Sequence, residues 1–398
     1  MHFELTEEQQ LFRDLTREWA QKHLAPRAEE IDRNEKIPAD VLKAMADQGL
    51  FGITISEEYG GQGADWTTAS LVGEEIARAD ISVATAVLYL VEASWAQLID
   101  KYGNEQLKQE VLPKVCSGEH ICGVATTEPV GGTDVAGNQF TIRKDGNEWV
   151  VNGEKAYISG TEEAAEMGGG HITTGVFDRS LHHRGLNLFY LPADTWESRS
   201  KFEDMGRMGI STGAFVCNEA RIPNHYIIGE EGKGFYYALE GYNNARIIIG
   251  ATCVGAAAAA LEMGVDYIKE RRAFGKRLSQ MQGLQWQVAD QYAALEASRL
   301  TAYKAAWIWD QYESGKSNYT IEDVNLAVAH SKLRCPTAAF DIIAQVMDWY
   351  GAYGYTKECP LERGLRGVKS YVIGAEGAKN IMKQIIARDL IGREFVSF

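Results

Sequence analysis

The sequence predicts an α+β protein with three parts: an N-terminal helical domain over residues 1–118, a middle β-barrel-like domain over 119–230, and a C-terminal four-helix bundle over 231–398. Three observations predict it. Apolar residues recur at helical spacing up to about Ser117 and again from Gly234, whereas between His120 and Ile227 they alternate as in strands. The chain has 398 residues and 45% hydrophobic content, more than a single core usually organises. No internal repeat, low-complexity tract or Pro-rich linker interrupts it.

Thr6 followed by Gln9 predicts a capping box at the first helix, with Leu11, Leu15 and Trp19 repeating on one face. Pro38 opens a further helix through Leu50. The glycine-rich EEYGGQG (57–63) breaks the pattern before a helix near 67–79. In the middle part Phe140, Ile142 and Lys144 alternate, Asp145-Gly146 makes a hairpin turn, and Trp149 and Val151 resume the alternation. Asn152-Gly153 predicts a second turn, and HITTGVF (171–177) and LNLFYLP (186–192) predict further strands. The last part contains helices over about 235–272, 282–314, 321–350 and 377–390, joined by short loops as in a bundle.

Several function classes are excluded. A net charge of −15 disfavours nucleic acid, which needs a basic face. Six cysteines without a CxxC pair imply neither a disulfide framework nor a zinc site, and eight histidines contain no HExxH, so no metal is expected. The default is a reduced, cytoplasmic setting. The start MHFELTEEQQ lacks the apolar segment of a signal peptide. The longest uncharged runs, Ile81–Val91 and Ile247–Leu261, fall short of the ~18 residues of a membrane span, so no membrane partner is expected. Neither GxGxxG, GxxxxGK[ST] nor GxSxG occurs, so a cofactor is held some other way.

Four segments can carry chemistry. VIGAEGAKNI (372–381) sets Glu376 among small residues, as a base facing a substrate would be, or as a surface charge near a helix start. In ATTEPVGGTDVAG (125–137), Gly131 and Gly132 permit close backbone approach and Thr127 and Thr133 offer hydroxyls, although a turn between strands reads the same. In NGEKAYISG (152–160), Tyr157 and Ser159 fall on one strand face, a ring and a hydroxyl for a planar ligand, or a half-buried strand. In ERRAFGKRL (270–278), basic residues flank Phe274-Gly275, suited to a pyrophosphate or to a solvated helix end.

In this order and spacing the segments resemble the acyl-CoA dehydrogenase flavoprotein family over essentially the whole chain. TEPVGGTDVAG is similar to the first family signature, VNGEKAYISG to the flavin-stacking strand, RRAFGKRLSQMQ to the segment reaching the adenine half of FAD across a subunit interface, and GAYGYTKECPLERGLR to the second signature. The resemblance implies one FAD per subunit, an acyl-CoA substrate, an electron-transferring flavoprotein as partner and a homotetramer. It places Thr127, Gly132, Thr133, Tyr157, Ile158 and Ser159 on FAD, with Arg271, Phe274 and Gln282 contributing partly from a neighbouring subunit. Thr133, Tyr242, Asn243 and Arg246 fall on the substrate path. The implied reaction is α,β-dehydrogenation of the thioester to the enoyl-CoA. A carboxylate with a raised pKa takes the α proton, and hydrogen bonds to the carbonyl oxygen stabilise the developing charge.

Counting back from IIARDL puts the base at Glu376; counting forward from ERGLRG puts Ala375 there, so one residue has been inserted between the anchors. The usual aromatic-Glu-Gly-Thr is Ala-Glu-Gly-Ala, Tyr157 replaces a tryptophan, Asp348 a glutamine and Gly367 an aspartate, and Ala245 closes the base position of branched-chain members. Glu92, at the end of VATAVLYLVEASW, is the alternative base, because relatives acting on cyclic esters use a carboxylate from this helix. These departures suggest a branched, cyclic or aryl-bearing acyl group. The alternative functions are an enoyl-CoA reductase running the reverse reaction, a flavin-dependent oxidase or monooxygenase, and a noncatalytic acyl-CoA-binding flavoprotein.

Overall fold

The computed structural model describes residues 4–396. Thr6 caps α1 (Glu7–Trp19) with both halves of the expected box. The expected apolar face is only partly used: Trp19 is buried, while Leu11 and Leu15 face outward and the helix packs instead through Thr16, Trp19 and the half-buried Phe12. α2 (Ala28–Asn34) and α3 (Ala39–Asp47) follow, the latter entered through Pro38. α4 (Trp66–Ala79) and α5 (Ala84–Val91) are almost wholly enclosed; α5 is uncharged, and in α4 the buried Glu74 and Glu75 are paired with Arg299 and Arg17. A five-residue π turn, Glu92–Ala96, joins α5 to α6 (Gln97–Tyr102), and α7 (Glu105–Cys116) completes this part.

The middle part contains β1 (Cys122–Ala125), β2 (Thr141–Asp145), β3 (Glu148–Ser159), a short helix α8 (Thr161–Met167), then β4 (Gly170–Val176), β5 (Leu186–Pro192), β6 (Ser198–Lys201), β7 (Thr212–Pro223) and β8 (Ile227–Ile228). They form one sheet in the order β6-β7-β3-β2-β4-β5-β8, with β1 parallel to β4. The β2–β3 hairpin turns one residue later than expected, through Gly146 and Asn147, because Asp145 pairs with Glu148. The second expected turn does not exist. β3 runs through Asn152-Gly153, slipping one register step against β7 between Val151 and Gly153. Gly153 adopts φ +138°, and a Cβ there would lie 2.9 Å from the Phe140 ring. Bulge and turn both select glycine for positive φ, so the local signature is the same.

The last part holds α9 (Gly234–Glu270), a hairpin of β9 (Arg272–Ala273) and β10 (Lys276–Arg277), α10 (Gln282–Glu313), α11 (Ile321–Tyr350), α12 (Pro360–Ile373) and α13 (Lys379–Ile391). α12 is absent from the expected helices, although Leu361, Leu365, Val368 and Val372 repeat at helical spacing. Its glycines serve close packing: a Cβ at Gly367 would lie 2.0 Å from the Ser82 carbonyl oxygen. α9 is long and apolar enough to cross a membrane by composition, yet 89% of its most apolar window is buried inside the protein. It is the central bundle helix, lying between α4, α10 and α11.

Glycine also brings α9 against α4, since a Cβ at Gly255 would sit 2.2 Å from the Glu74 carbonyl oxygen. Gly255→Ala is therefore expected to destabilise by about 1–3 kcal/mol, read as a fall in thermal midpoint, whereas alanine at Gly283, where a Cβ meets nothing within 4 Å, should not lower it.

Candidate active site

A cleft of about 580 Å³ opens where the end of β3, the β1–β2 loop and α5 face the bundle. Its strand side is built on a buried ion pair. The Lys155 ammonium, with no solvent exposure, donates to Glu128 at 2.9 Å and to the Thr126 carbonyl at 3.3 Å. Burial lowers the Lys155 pKa to about 8 against the opposing pull of Glu128. Glu128 also accepts the N–H groups of Gln139 and Phe140. The glycine loop is thereby pinned to β3, with Thr127, Gly132 and Thr133 facing the cleft. A Cβ at Gly131 would meet nothing within 4 Å and one at Gly132 only Thr127, so the loop's own packing does not demand these glycines. Close approach of a ligand to the backbone does.

The end of β3 departs from simple alternation. Its register slips between Ala156 and Ile158, and Tyr157 adopts φ +61°. The bulge lifts Tyr157 out of the sheet, leaving it 66% exposed and stacked on Phe202 at 5.0 Å. Tyr157, Ile158 and Ser159 all line the cleft, in place of the expected one-face arrangement. Behind them His171 is buried and its pKa falls to about 4, so the ring is neutral and its Nε2–H donates to the Ser159 carbonyl at 3.0 Å.

The bundle side carries the carboxylate. Between α12 and α13 the chain turns through Glu376 at φ +55° and Gly377 at φ +108°. A glutamate in the left-handed region costs on the order of 1–3 kcal/mol and persists only when its surroundings hold it. Arg246 does so: its Nε donates to the Glu376 carbonyl at 2.8 Å and its Nη1 to Asn243 Oδ1 at 3.1 Å, over the Tyr242 ring at 5.4 Å. At the other end of the loop, buried Lys332 donates to the Tyr371 carbonyl at 2.6 Å. Burial pushes the Glu376 carboxyl up to about 7, against Arg246, the Trp95 indole and Lys332, which favour the anion. The Trp95 N–H is buried without a hydrogen bond of ordinary length. Near neutrality this carboxyl can therefore take and return a proton at little cost.

Thr133, Tyr242, Arg246 and Glu376 line the same cleft as Thr127, Gly132 and the β3 residues. Asn243 does not line it; it bridges Asn325 and Arg246, and supports the wall from behind. Glu92 does not line it either. Both its oxygens face the Cys122 N–H at 2.9 and 3.1 Å, and burial raises its pKa well above the ordinary carboxyl value. The π turn leaves Val91 lining the cleft and Glu92 behind it, against the β1 backbone. Arg271, Phe274 and Gln282 stand away from the cleft on and beside the β9–β10 hairpin, with Phe274 95% exposed.

Some cleft residues carried no readable signal. Val87, Leu90 and Val91 form an apolar wall, legible only as an uncharged helical run. Asp204 and Arg207 enter from the β6–β7 loop, whose polar residues look like any loop, and Thr212 from the first position of β7. Tyr371 brings a buried hydroxyl that finds no hydrogen-bond partner among the described residues. An exposed aromatic face, hydroxyls at Thr127, Thr133 and Ser159, and glycines open toward the cleft together fit a flat heteroaromatic ring with polar edges, as in FAD.

Three family descriptions match the chain in order: acyl-CoA dehydrogenase N-terminal domain over residues 6–119, middle domain over 123–220 and C-terminal domain over 232–391. The short-chain specific acyl-CoA dehydrogenase of Clostridium acetobutylicum is 34% identical over 390 residues, covering 97% of this chain and 99% of the relative. Among solved structures, glutaryl-coenzyme A dehydrogenase in complex with glutaryl-CoA superposes with a TM-score of 0.90 at 33% identity, covering 98% of this chain and 97% of that one. Butyryl-CoA dehydrogenase from Megasphaera elsdenii gives 0.89 at 29% identity, covering 98% and 100%.

The raised carboxyl has a consequence for stability. In the unfolded chain Glu376 titrates near the ordinary value of 4.5, but in the fold near 7. The folded state therefore holds the proton more tightly, and ionising the group costs stability as pH rises through this window. Glu376→Gln is expected to raise the thermal midpoint at pH 8, with the gain shrinking as pH falls toward 4.5 and vanishing below it.

Proposed function

Because the chain belongs to the acyl-CoA dehydrogenase family, a family of oxidoreductases acting on CH–CH groups, we propose that it oxidises an acyl-CoA thioester to the α,β-enoyl-CoA with Glu376 as the base. The single observation that carries this reading is the Glu376 carboxyl, raised to about 7 and lining the cleft that the exposed Tyr157 ring also lines. FAD, when bound, supplies the acceptor for the β hydride. Thr127, Gly132, Thr133, Tyr157, Ile158 and Ser159 would hold it, with Arg271, Phe274 and Gln282 serving a neighbouring copy.

Glu376 takes the α proton onto its carboxylate. Arg246 holds the loop backbone, so the carboxylate stays aimed into the cleft while the charge of Arg246 remains close enough to keep the anion accessible. Val87, Leu90 and Val91 exclude water from one wall, which strengthens every polar interaction inside. That wall carries no cation, which supports an apolar acyl chain rather than one ending in a carboxylate. Electrons would pass on to an electron-transferring flavoprotein. Exposed Phe274, Trp286, Tyr292 and Leu300 support burial against further copies of the chain, as a homotetramer.

An anaerobic titration with straight-chain, branched and cyclic acyl-CoA esters, followed by loss of flavin colour, tests the reading. The parent protein should bleach, at a rate rising with pH through about 7 as Glu376 ionises. Glu376→Gln should slow bleaching by ~10²–10⁴-fold, and Glu92→Gln should leave it near the parent rate. Light scattering should return four times the 44.1 kDa chain mass. Bleaching of Glu376→Gln at the parent rate would overturn the assignment.

A further inference from the structure

Arg207 and Asp204 are charged groups of the cleft whose contacts run to the strand side and not to the loop that carries Glu376. Arg207 lies in the β6–β7 loop at φ +62°, lines the cleft and is only 11% exposed at its side chain. Its position is set by packing. A Cβ at Gly206 would lie 2.6 Å from the Arg366 backbone and one at Gly209 2.3 Å from Ile31, so the loop is wedged between α12 and α2. Arg366 also donates to the Met205 carbonyl at 3.1 Å. The guanidinium is thereby held at the end of β3: Nη1 donates to Ser159 Oγ at 3.4 Å and Nη2 to Thr212 Oγ1 at 3.1 Å. Asp204 faces Nη2 at 3.6 Å and also accepts the Thr212 hydroxyl. The end of the guanidinium turned to Ser159 therefore meets a neutral hydroxyl, and the end turned to Asp204 meets the countercharge.

We propose that Arg207 is a positioning residue that sets the electron affinity of the flavin ring seated against Tyr157–Ser159, by holding a permanent positive charge beside the Ser159 hydroxyl. This rests on the preceding assignment of that strand to FAD. A hydride brings two electrons and one proton, so one negative charge is added where it lands, while the α proton goes to Glu376. A cation held beside the Ser159 hydroxyl would favour that product over the neutral oxidised ring. Asp204 moderates the effect, so the two residues oppose one another.

The test uses the purified holoprotein and two readouts other than turnover: the midpoint potential of the bound flavin, and the affinity for sulfite, which adds to the oxidised ring and leaves it negatively charged. Arg207→Met should lower the potential and weaken sulfite binding by about tenfold or more, the scale a partly desolvated unit charge exerts at this range. Arg207→Lys should recover most of the loss. Asp204→Asn should shift both readouts the opposite way, a sign that a merely structural defect would not produce. Flavin-loaded Arg207→Met and Asp204→Asn with parental potential and sulfite affinity would overturn the proposal. If Arg207→Met sheds its flavin, Asp204→Asn alone decides, and parental values in it are the overturning result. A parent protein that takes up no flavin would sink the functional reading as well. Unchanged values in an enzyme that acyl-CoA bleaches would sink only the role of Arg207.

Discussion

Arg246 donating to the Glu376 carbonyl is the contact on which the site depends. A glutamate at φ +55° is strained, and the loop that carries it is short and rich in small residues. The Gly377 N–H closes the turn on the Gly374 carbonyl at 2.8 Å, and the buried Arg246 donor on the Glu376 carbonyl ties that turn to α9. Lys332 does the corresponding work at the Tyr371 carbonyl, so a buried cation sits at each end of the loop. Both cations also lie close enough to favour the Glu376 anion. One pair of residues thus shapes the backbone and keeps a desolvated carboxyl titrating near neutrality.

The opposite wall obeys the same economy of polar groups. Lys155 and Glu128 are each fully enclosed and each satisfied, and their pairing ties a glycine loop to a strand. A buried pair of this kind adds little net stability, since desolvation offsets attraction, but it defines one arrangement and penalises others. The bulge at Tyr157 adds to this. Its positive φ frees the ring from the sheet and turns a strand end into a flat, exposed surface. Both halves of the cleft therefore hold a non-glycine residue in a left-handed conformation, and in both the strain accompanies a side chain presented to the cavity.

Glycine explains much of how the domains meet. At Gly255, Gly367 and Gly206 a Cβ would strike backbone of a neighbouring segment, so these residues record close approaches rather than breaks. Reading Asn152-Gly153 as a turn splits a continuous strand. The same residue type serves turns, bulges and contacts between elements, and only the partner in space distinguishes them.

From sequence alone the α–β–α order, the long helices α9 to α11 and the glycine loop follow, because each rests on local periodicity or on a run of residues whose chemistry is visible in one dimension; Glu376 stands out in that dimension only as a lone carboxylate among small residues. The family resemblance follows for the same reason, since its motifs are short and contiguous. What required the tertiary structure is which groups meet. Glu92 and Glu376 are both lone carboxylates near apolar runs, and only the π turn after α5 and the reach of Arg246 separate the one set against β1 from the one that lines the cleft. Asn243 moves behind the wall, and Arg207 and Tyr371 enter it, through contacts between residues far apart in the chain. Local pattern encodes the propensity of a segment; desolvation, which decides the charge and the use of a side chain, is a property of everything packed around it.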